Sequence, residues 1–273
     1  MPAAIHQTIV VTGASSGIGR ELALQLASPG SELWLVGRNL ERLEQVAGLV
    51  RLEGAIPRIA VIDLNDLGGC EQFLSETFPS DKKVDAIYLA AGITMFGEVR
   101  NILAADWDQI YKTNFLSPAQ WAHFFYSKMV SEKCGTIVVV SSLAAYAGYP
   151  TATPYATMKA GLIGLFRSLW YEGKPHGVMI HLASPGYVDS RIYRSATYRE
   201  TSYGETMQQI EALGFGAISS EAAAREIIRS VGRGKKEFAF PAYAAVMKWV
   251  APRVPYLIDL VHSKIMKHFR QPL

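Results

Sequence analysis

The sequence predicts one doubly wound α/β domain, a parallel sheet covered on both faces by helices, with a short helical extension at its C-terminal end. Short β-branched apolar runs alternate with longer stretches of helical spacing, the mark of βα units. The runs read as almost continuously apolar, as expected of strands buried on both faces. A glycine-rich turn joins the first run to the first helical stretch. With 273 residues and 49% hydrophobic content, the chain can bury one large core.

Thr8–Val11 opens the series, and a helical stretch over Glu21–Ala27 stops at Ser28-Pro29-Gly30. Glu32–Val36 reads as the second strand and Leu40–Leu52 as the second helix. Ile59–Ile62 and a helix over Cys70–Phe78 follow, then the buried run Val84–Ala90. Two helical stretches cover Asp106–Lys133 and lead into Thr136–Val140, the most uniformly apolar strand. Tyr155–Glu172 is helical and Val178–Ala183 is the next strand. Near Pro241 the composition shifts to a proline-punctuated basic tail, which sets the expected division into a main domain, 1–241, and an extension, 242–273.

A net charge of +3 gives no argument for nucleic acid. Cys70 and Cys134 lie far apart, without metal-ligand neighbours, and read as reduced thiols of a cytoplasmic protein. The N-terminal residues lack a basic, signal-like segment. No run of about 18 apolar residues suggests a membrane span.

Residues 12–19 read TGASSGIG, between a strand and a helix. Glycines there permit a tight turn. They also let a pyrophosphate approach the N–H groups at the helix start, where the dipole favours negative charge. Further along, a strand delivers Ser141-Ser142, Tyr155 follows thirteen residues after Ser142, and Lys159 four after that. Thr153 and Pro154 suit a helix start, Thr153 as cap, and Tyr155 and Lys159 then share a face. A free phenol titrates near ~10, and a neighbouring ammonium favours phenolate. Tyr155 can thus act as general acid or base, with Ser142 donating a hydrogen bond to the developing alkoxide.

These motifs together resemble the short-chain dehydrogenase/reductases, over about residues 8–241. The resemblance implies a Rossmann fold, an NADP(H) cofactor and oxidation or reduction at a CH–OH or C=O carbon. It assigns Gly13, Ser15, Ser16, Gly17, Ile18 and Gly19 to the cofactor turn, and Asn114 to a fourth catalytic position that organises a water beside Lys159. Asp63 resembles the residue that touches the adenine. Ala91 and Gly92 flank the cofactor after the fourth strand. Pro185, Gly186, Val188 and Ser190 form the loop that holds the nicotinamide, with Ser190 where threonine is usual, and Tyr155 and Lys159 touch the cofactor as well. An NAD enzyme places an acid at the end of the second strand, but here Gly37 stands there and Arg38 follows, a group suited to a 2′-phosphate. One departure is plain: the family's N-N-A-G is Leu89-Ala90-Ala91-Gly92 here.

Leu143, Tyr149, Tyr187 and Tyr193 are the expected substrate contacts, and the apolar residues on either side favour a lipophilic carbonyl or alcohol. A 3-oxoacyl reductase and a sterol- or sphingoid-type ketone reductase both fit, and a non-catalytic regulator on the same fold is the rival class. The family resemblance also implies a homodimer or homotetramer, with apolar Phe124, Phe125, Phe166 and Trp170 compatible with such an interface. In the tail, Lys248, Arg253, Lys264, Lys267 and Arg270 stand against Asp259 alone, so it carries +4 and residues 1–241 carry −1. Its stripe, Ile258, Val261, Ile265 and Phe269, suits either docking on the protein or peripheral contact with a membrane surface. The catalytic residues all lie elsewhere in sequence, so the tail is expected to be dispensable for reduction of a small ketone.

Overall fold

The computed structural model describes residues 7–269, except the side chains of Val261, Lys264, Lys267, His268 and Phe269. Strand β1 (Thr8–Thr12) leads through the glycine turn into α1 (Gly17–Leu26), then β2 (Glu32–Gly37), α2 (Leu40–Leu52), β3 (Ile56–Val61), α3 (Leu67–Thr77) and β4 (Ala86–Leu89). A short strand β5 (Met95–Phe96) precedes α4 (Ala104–Tyr111), a π-helical turn at Lys112–Leu116 and α5 (Ser117–Glu132). Next come β6 (Gly135–Val140), α6 (Ala144–Ala147), α7 (Thr153–Gly173) and β7 (Val178–Pro185). The segment beyond β7 holds β8 (Val188–Asp189), α8 (Arg191–Arg194), β9 (Thr197–Tyr198), α9 (Tyr203–Ala212) and β10 (Ile218–Ser219). Then α10 (Ser220–Gly232), β11 (Glu237–Phe240), α11 (Ala242–Val250) and α12 (Pro255–Phe269) complete the described chain.

Seven strands form one parallel sheet in the order β11-β7-β6-β4-β1-β2-β3. The order reverses between β1 and β4, and in such sheets ligands bind outside the carboxyl ends of the strands at that point. The doubly wound fold expected from the sequence is thus the one observed. Alternate residues of a strand face opposite sides, and β1 shows it: Ile9 and Val11 join one core, Val10 the other. The first core contains side chains of α1, α2 and α10, the second of α3, α5 and α7.

Strand β11 (Glu237–Phe240) completes the sheet, and the sequence reading passed over it. Thr153 does not cap α7. Ala152 holds the cap position without a side-chain bond, and the Thr153 carbonyl instead accepts from the Thr157 hydroxyl. Phe125 and Phe166 are fully buried in the second core, so they have nothing left to offer a partner subunit. Phe124 and Trp170 are only partly buried, and Lys236 Nζ lies 3.9 Å from the Trp170 ring centre. No helix among the described residues is long and apolar enough to cross a membrane.

Candidate active site

The glycine turn lies at the switch point. Gly13 and Gly17 have φ of +74° and +55°, a region favourable only to glycine. A Cβ on Gly19 would sit 2.4 Å from the Gly13 carbonyl oxygen, and one on Gly13 would sit 2.9 Å from the Ala91 Cα. The turn therefore nests against the end of β4, where Ala91 N–H donates to the Thr12 hydroxyl at 3.2 Å. That bond ties down a strand end where the asparagines of the family pattern are missing. The first-turn N–H groups of α1 have no acceptor within the helix, and Ile18 already lines the main cavity. Ser16, at the N-cap, makes no side-chain capping bond.

Gly37 ends β2 beside Ser15: a Cβ there would lie 3.3 Å from the Ser15 hydroxyl. An acidic side chain would crowd that hydroxyl, whereas Arg38 is exposed next to it. Asp63 is exposed at the end of β3 and accepts from the Asn65 N–H at 3.0 Å through one carboxylate oxygen.

Ser142 follows β6, and Tyr155 and Lys159 project from the first turns of α7. All three line one cavity of about 180 Å³. Lys159 is buried, donates to the Val140 carbonyl at 2.9 Å, and its Nζ lies 5.8 Å from the Tyr155 ring centre. Burial pulls its pKa down to about 8. Burial pushes the Tyr155 phenol up, and a hydrogen bond with Ser142 only partly offsets this. The sequence argument expected Lys159 to lower that phenol. In the protein alone desolvation wins, because the phenolate has lost its water and the ammonium is itself weakened.

Asn114 is fully buried in the π-helical turn. Pro118 begins the next helix without an N–H to give the Asn114 carbonyl, so the ladder opens and Ser117 N–H reaches back to Lys112. The Asn114 amide then spans the Ile93 backbone, accepting from its N–H at 2.9 Å and donating to its carbonyl at 2.7 Å. A Cβ on Gly92 would lie 3.4 Å from both Asn114 Oδ1 and Lys159 Nζ. Gly92, Asn114 and Lys159 thus converge.

Pro185, Gly186, Val188 and Ser190 line the same cavity, and Leu143 N–H donates to the Pro185 carbonyl at 2.8 Å, beside Ser142. This loop is held from the tail: Tyr187 N–H donates to the Tyr243 hydroxyl at 2.6 Å, and Tyr243 leaves no room for a Cβ on Gly186. Ser190 reaches back to the glycine turn, its Cβ 3.4 Å from where a Cβ of Gly17 would be.

Leu143, Tyr149, Tyr187 and Tyr193 all line the cavity, and the Tyr187 hydroxyl donates to Tyr149 at 3.0 Å. Ile192, Ile210, Leu213 and Phe215 complete a mostly apolar wall. The segment carrying them is anchored by Arg199, whose guanidinium grips Asp106 at 2.9 and 2.8 Å. That pairing holds the Asp106 carboxyl below its ordinary pKa.

The sequence reading missed one wall. Met247, Ile258, His262 and Ile265 line the same cavity from α11 and α12. Ile258 and Ile265 are buried, at 5% and 3% exposure. Two members of the stripe are therefore packed against the protein itself, as the docking alternative expects, and the tail lines the candidate cavity. Val261 and Phe269, the other two, lie outside the described side chains, as do Lys264, Lys267 and Arg270. The spacing of Ile258 and Ile265 was legible; what they cover was not.

A doubly wound sheet with a glycine turn at its switch point, and a serine, tyrosine and lysine on one cavity wall, defines a dinucleotide-dependent oxidoreductase architecture. The short chain dehydrogenase family profile matches residues 7–201, and the chain belongs to that family, whose members oxidise CH–OH or reduce C=O groups. It is 30% identical over 274 residues to 11-beta-hydroxysteroid dehydrogenase-like 2 of Arabidopsis thaliana, covering 96% of this chain and 84% of that one. It is 26% identical over 266 residues to dehydrogenase/reductase SDR family member 7B of Xenopus tropicalis, covering 94% and 85%. Among solved structures, a short-chain dehydrogenase from Sphingobium yanoikuyae in complex with NADPH superposes with a TM-score of 0.78 at 19% identity, over 98% of each chain. A metagenomic short-chain oxidoreductase in complex with NADP gives 0.67 at 26% identity, over 82% of this chain and 89% of that one.

Proposed function

We infer that this chain is an NADP(H)-dependent oxidoreductase acting on a lipophilic carbonyl or alcohol, with Tyr155 as general acid in reduction and general base in oxidation. The observation that carries this reading is the placement of Ser142, Tyr155 and Lys159 on one wall of an apolar cavity that runs to the glycine turn. The turn's glycines let it pack against the end of β4, the first N–H groups of α1 suit a pyrophosphate, and the exposed Arg38 beside Gly37 and Ser15 offers charge to a 2′-phosphate. Complexes of fold relatives with NADPH and NADP support the same cofactor. The bound dinucleotide supplies or accepts the hydride.

The protein's own contribution is proton handling and alignment. Ser142 donates a hydrogen bond to the substrate oxygen as negative charge develops there. The Tyr155 phenol, kept protonated by burial, gives its proton to that oxygen in reduction. Lys159, an ammonium below about pH 8, steadies the phenolate left behind. Asn114 fixes the Ile93 backbone and with it the edge of the site. The four intact groups weigh against a non-catalytic regulator. A panel of apolar ketones with NADPH and NADH, followed through the absorbance of the reduced nicotinamide, tests the assignment. Tight NADPH binding without turnover of any ketone favours the regulator.

Self-association through α5 and α7 belongs to the same reading, with Phe124 and Trp170 as the apolar groups still available; light scattering measures it. Among the described residues, peripheral contact with a membrane can use Trp249, Tyr256, Leu257 and Leu260 of the tail, which are exposed. Sedimentation with anionic vesicles at low salt tests that contact.

A further inference from the structure

We propose that His262, on the C-terminal helix, is a specificity residue that accepts a hydrogen bond from a hydroxyl or amide N–H borne by an otherwise apolar carbonyl substrate. The proposal rests on the reading of this cavity as a substrate site. His262 lines it from between Ile258 and Ile265, at spacings of four and three that place all three on one helix face. Those neighbours, with Met247, Leu213 and Phe215, are apolar. A polar ring in such a wall carries a desolvation cost unless both nitrogens find partners.

One partner is present. The Gly148 backbone lies close enough to favour the protonated ring, as a carbonyl does when it accepts from a ring N–H. Burial pushes the His262 pKa below its ordinary value and outweighs both Gly148 and the charge of Asp259, so the ring is neutral near pH 7. A neutral imidazole has one donor and one acceptor. The donor is engaged on Gly148, so the nitrogen left for a ligand is an acceptor. Among the described residues, the ring's only polar neighbours are the Gly148 backbone and the Asp259 carboxylate, which carries no proton to donate. Of the tyrosines that line the cavity, Tyr187 donates to Tyr149.

The test uses the full chain saturated with NADP⁺, which lets a ketone bind without being reduced. Calorimetric titration compares 4-phenylcyclohexanone with its 3- and 4-hydroxyphenyl analogues. At least one hydroxylated analogue binds roughly 3- to 10-fold tighter than the parent, the size of a neutral hydrogen bond. His262→Phe brings that ratio to about one, and His262→Asn, which keeps an acceptor, retains part of it. A histidine that merely pins the helix to Gly148 would weaken all three ketones alike and leave the ratio unchanged. An unchanged ratio in both variants, equal binding of the three by the native chain, or no binding of any, overturns the proposal. Failure of the enzymatic reading looks different: the binding ratio holds while NADPH is never consumed.

Discussion

Glu237, at the start of β11, gathers groups from three other elements, and its removal has a calculable effect. Arg167 of α7 holds it through two bonds of 2.8 Å, Tyr146 of α6 donates at 2.9 Å, and Lys248 of α11 lies at 3.0 Å. The Tyr146 hydroxyl also bonds Ser184 of β7 at 3.1 Å. Burial alone would raise the carboxyl's pKa, but the bonds from Arg167, Lys248 and Tyr146 prevail and carry it from 4.5 to about 2. At 1.36 kcal/mol per unit, that difference corresponds to at most about 3 kcal/mol. Arg167 is half exposed and solvent screens its share, so about 2 kcal/mol is expected. The folded pKa lies below the unfolded one. The stabilisation is therefore complete above about pH 4.5 and is lost as pH falls toward 2. Glu237→Gln should lower the urea midpoint at pH 7 by about 1 M, taking a slope of about 2 kcal/mol/M. At pH 3 the gap between the two proteins should shrink to less than half, compared at one protein concentration. Equal midpoints at pH 7, or a gap that widens on acidification, would refute the linkage.

Further predictions address the site. Tyr155→Phe should lower ketone turnover roughly 10²- to 10⁴-fold with NADPH binding retained by fluorescence titration; near-normal turnover removes Tyr155 from its role. Reductive turnover of the native chain should fall as pH rises through about 8, where Lys159 loses its charge, and Lys159→Arg should move that limb upward; a flat profile to pH 10 contradicts it. The native chain should prefer NADPH to NADH, and Arg38→Ala should erode the preference about 10- to 100-fold, the worth of a charge-assisted bond. Asp106→Asn should free the segment carrying Ile192 and Tyr193, raising the ketone KM and speeding proteolysis near Arg199; unchanged cleavage speaks against the anchor.

Sequence alone carried six of the seven sheet strands, the glycine turn and the spacing of Ser142, Tyr155 and Lys159, because each is written locally. A strand-to-helix turn shows its glycines, and a tyrosine and lysine four apart share a helix face whatever surrounds them. Asn114 was legible only through the family pattern; its fixing by Ile93 depends on a π-helical turn that Pro118 opens. The depth of the Tyr155 pocket was not legible, since burial is a sum over distant elements, and it reversed the expected direction of the phenol's shift. The tail shows the same limit. The spacing of Ile258 and Ile265 marks an apolar face, but periodicity cannot say whether lipid, a second subunit or the chain's own cavity covers it.

The family profile ends at residue 201, yet the cavity is closed by residues up to Ile265. On the proposed reading, the residues assigned to proton transfer and the wall formed by α11 and α12 thus come from separate stretches of chain. Substitutions in the last helices can change which molecules are admitted while the reaction itself stays intact. Exchanging residues 242–273 between relatives should therefore transfer substrate preference in one step, provided Tyr243 and Lys248 are kept to seat the graft.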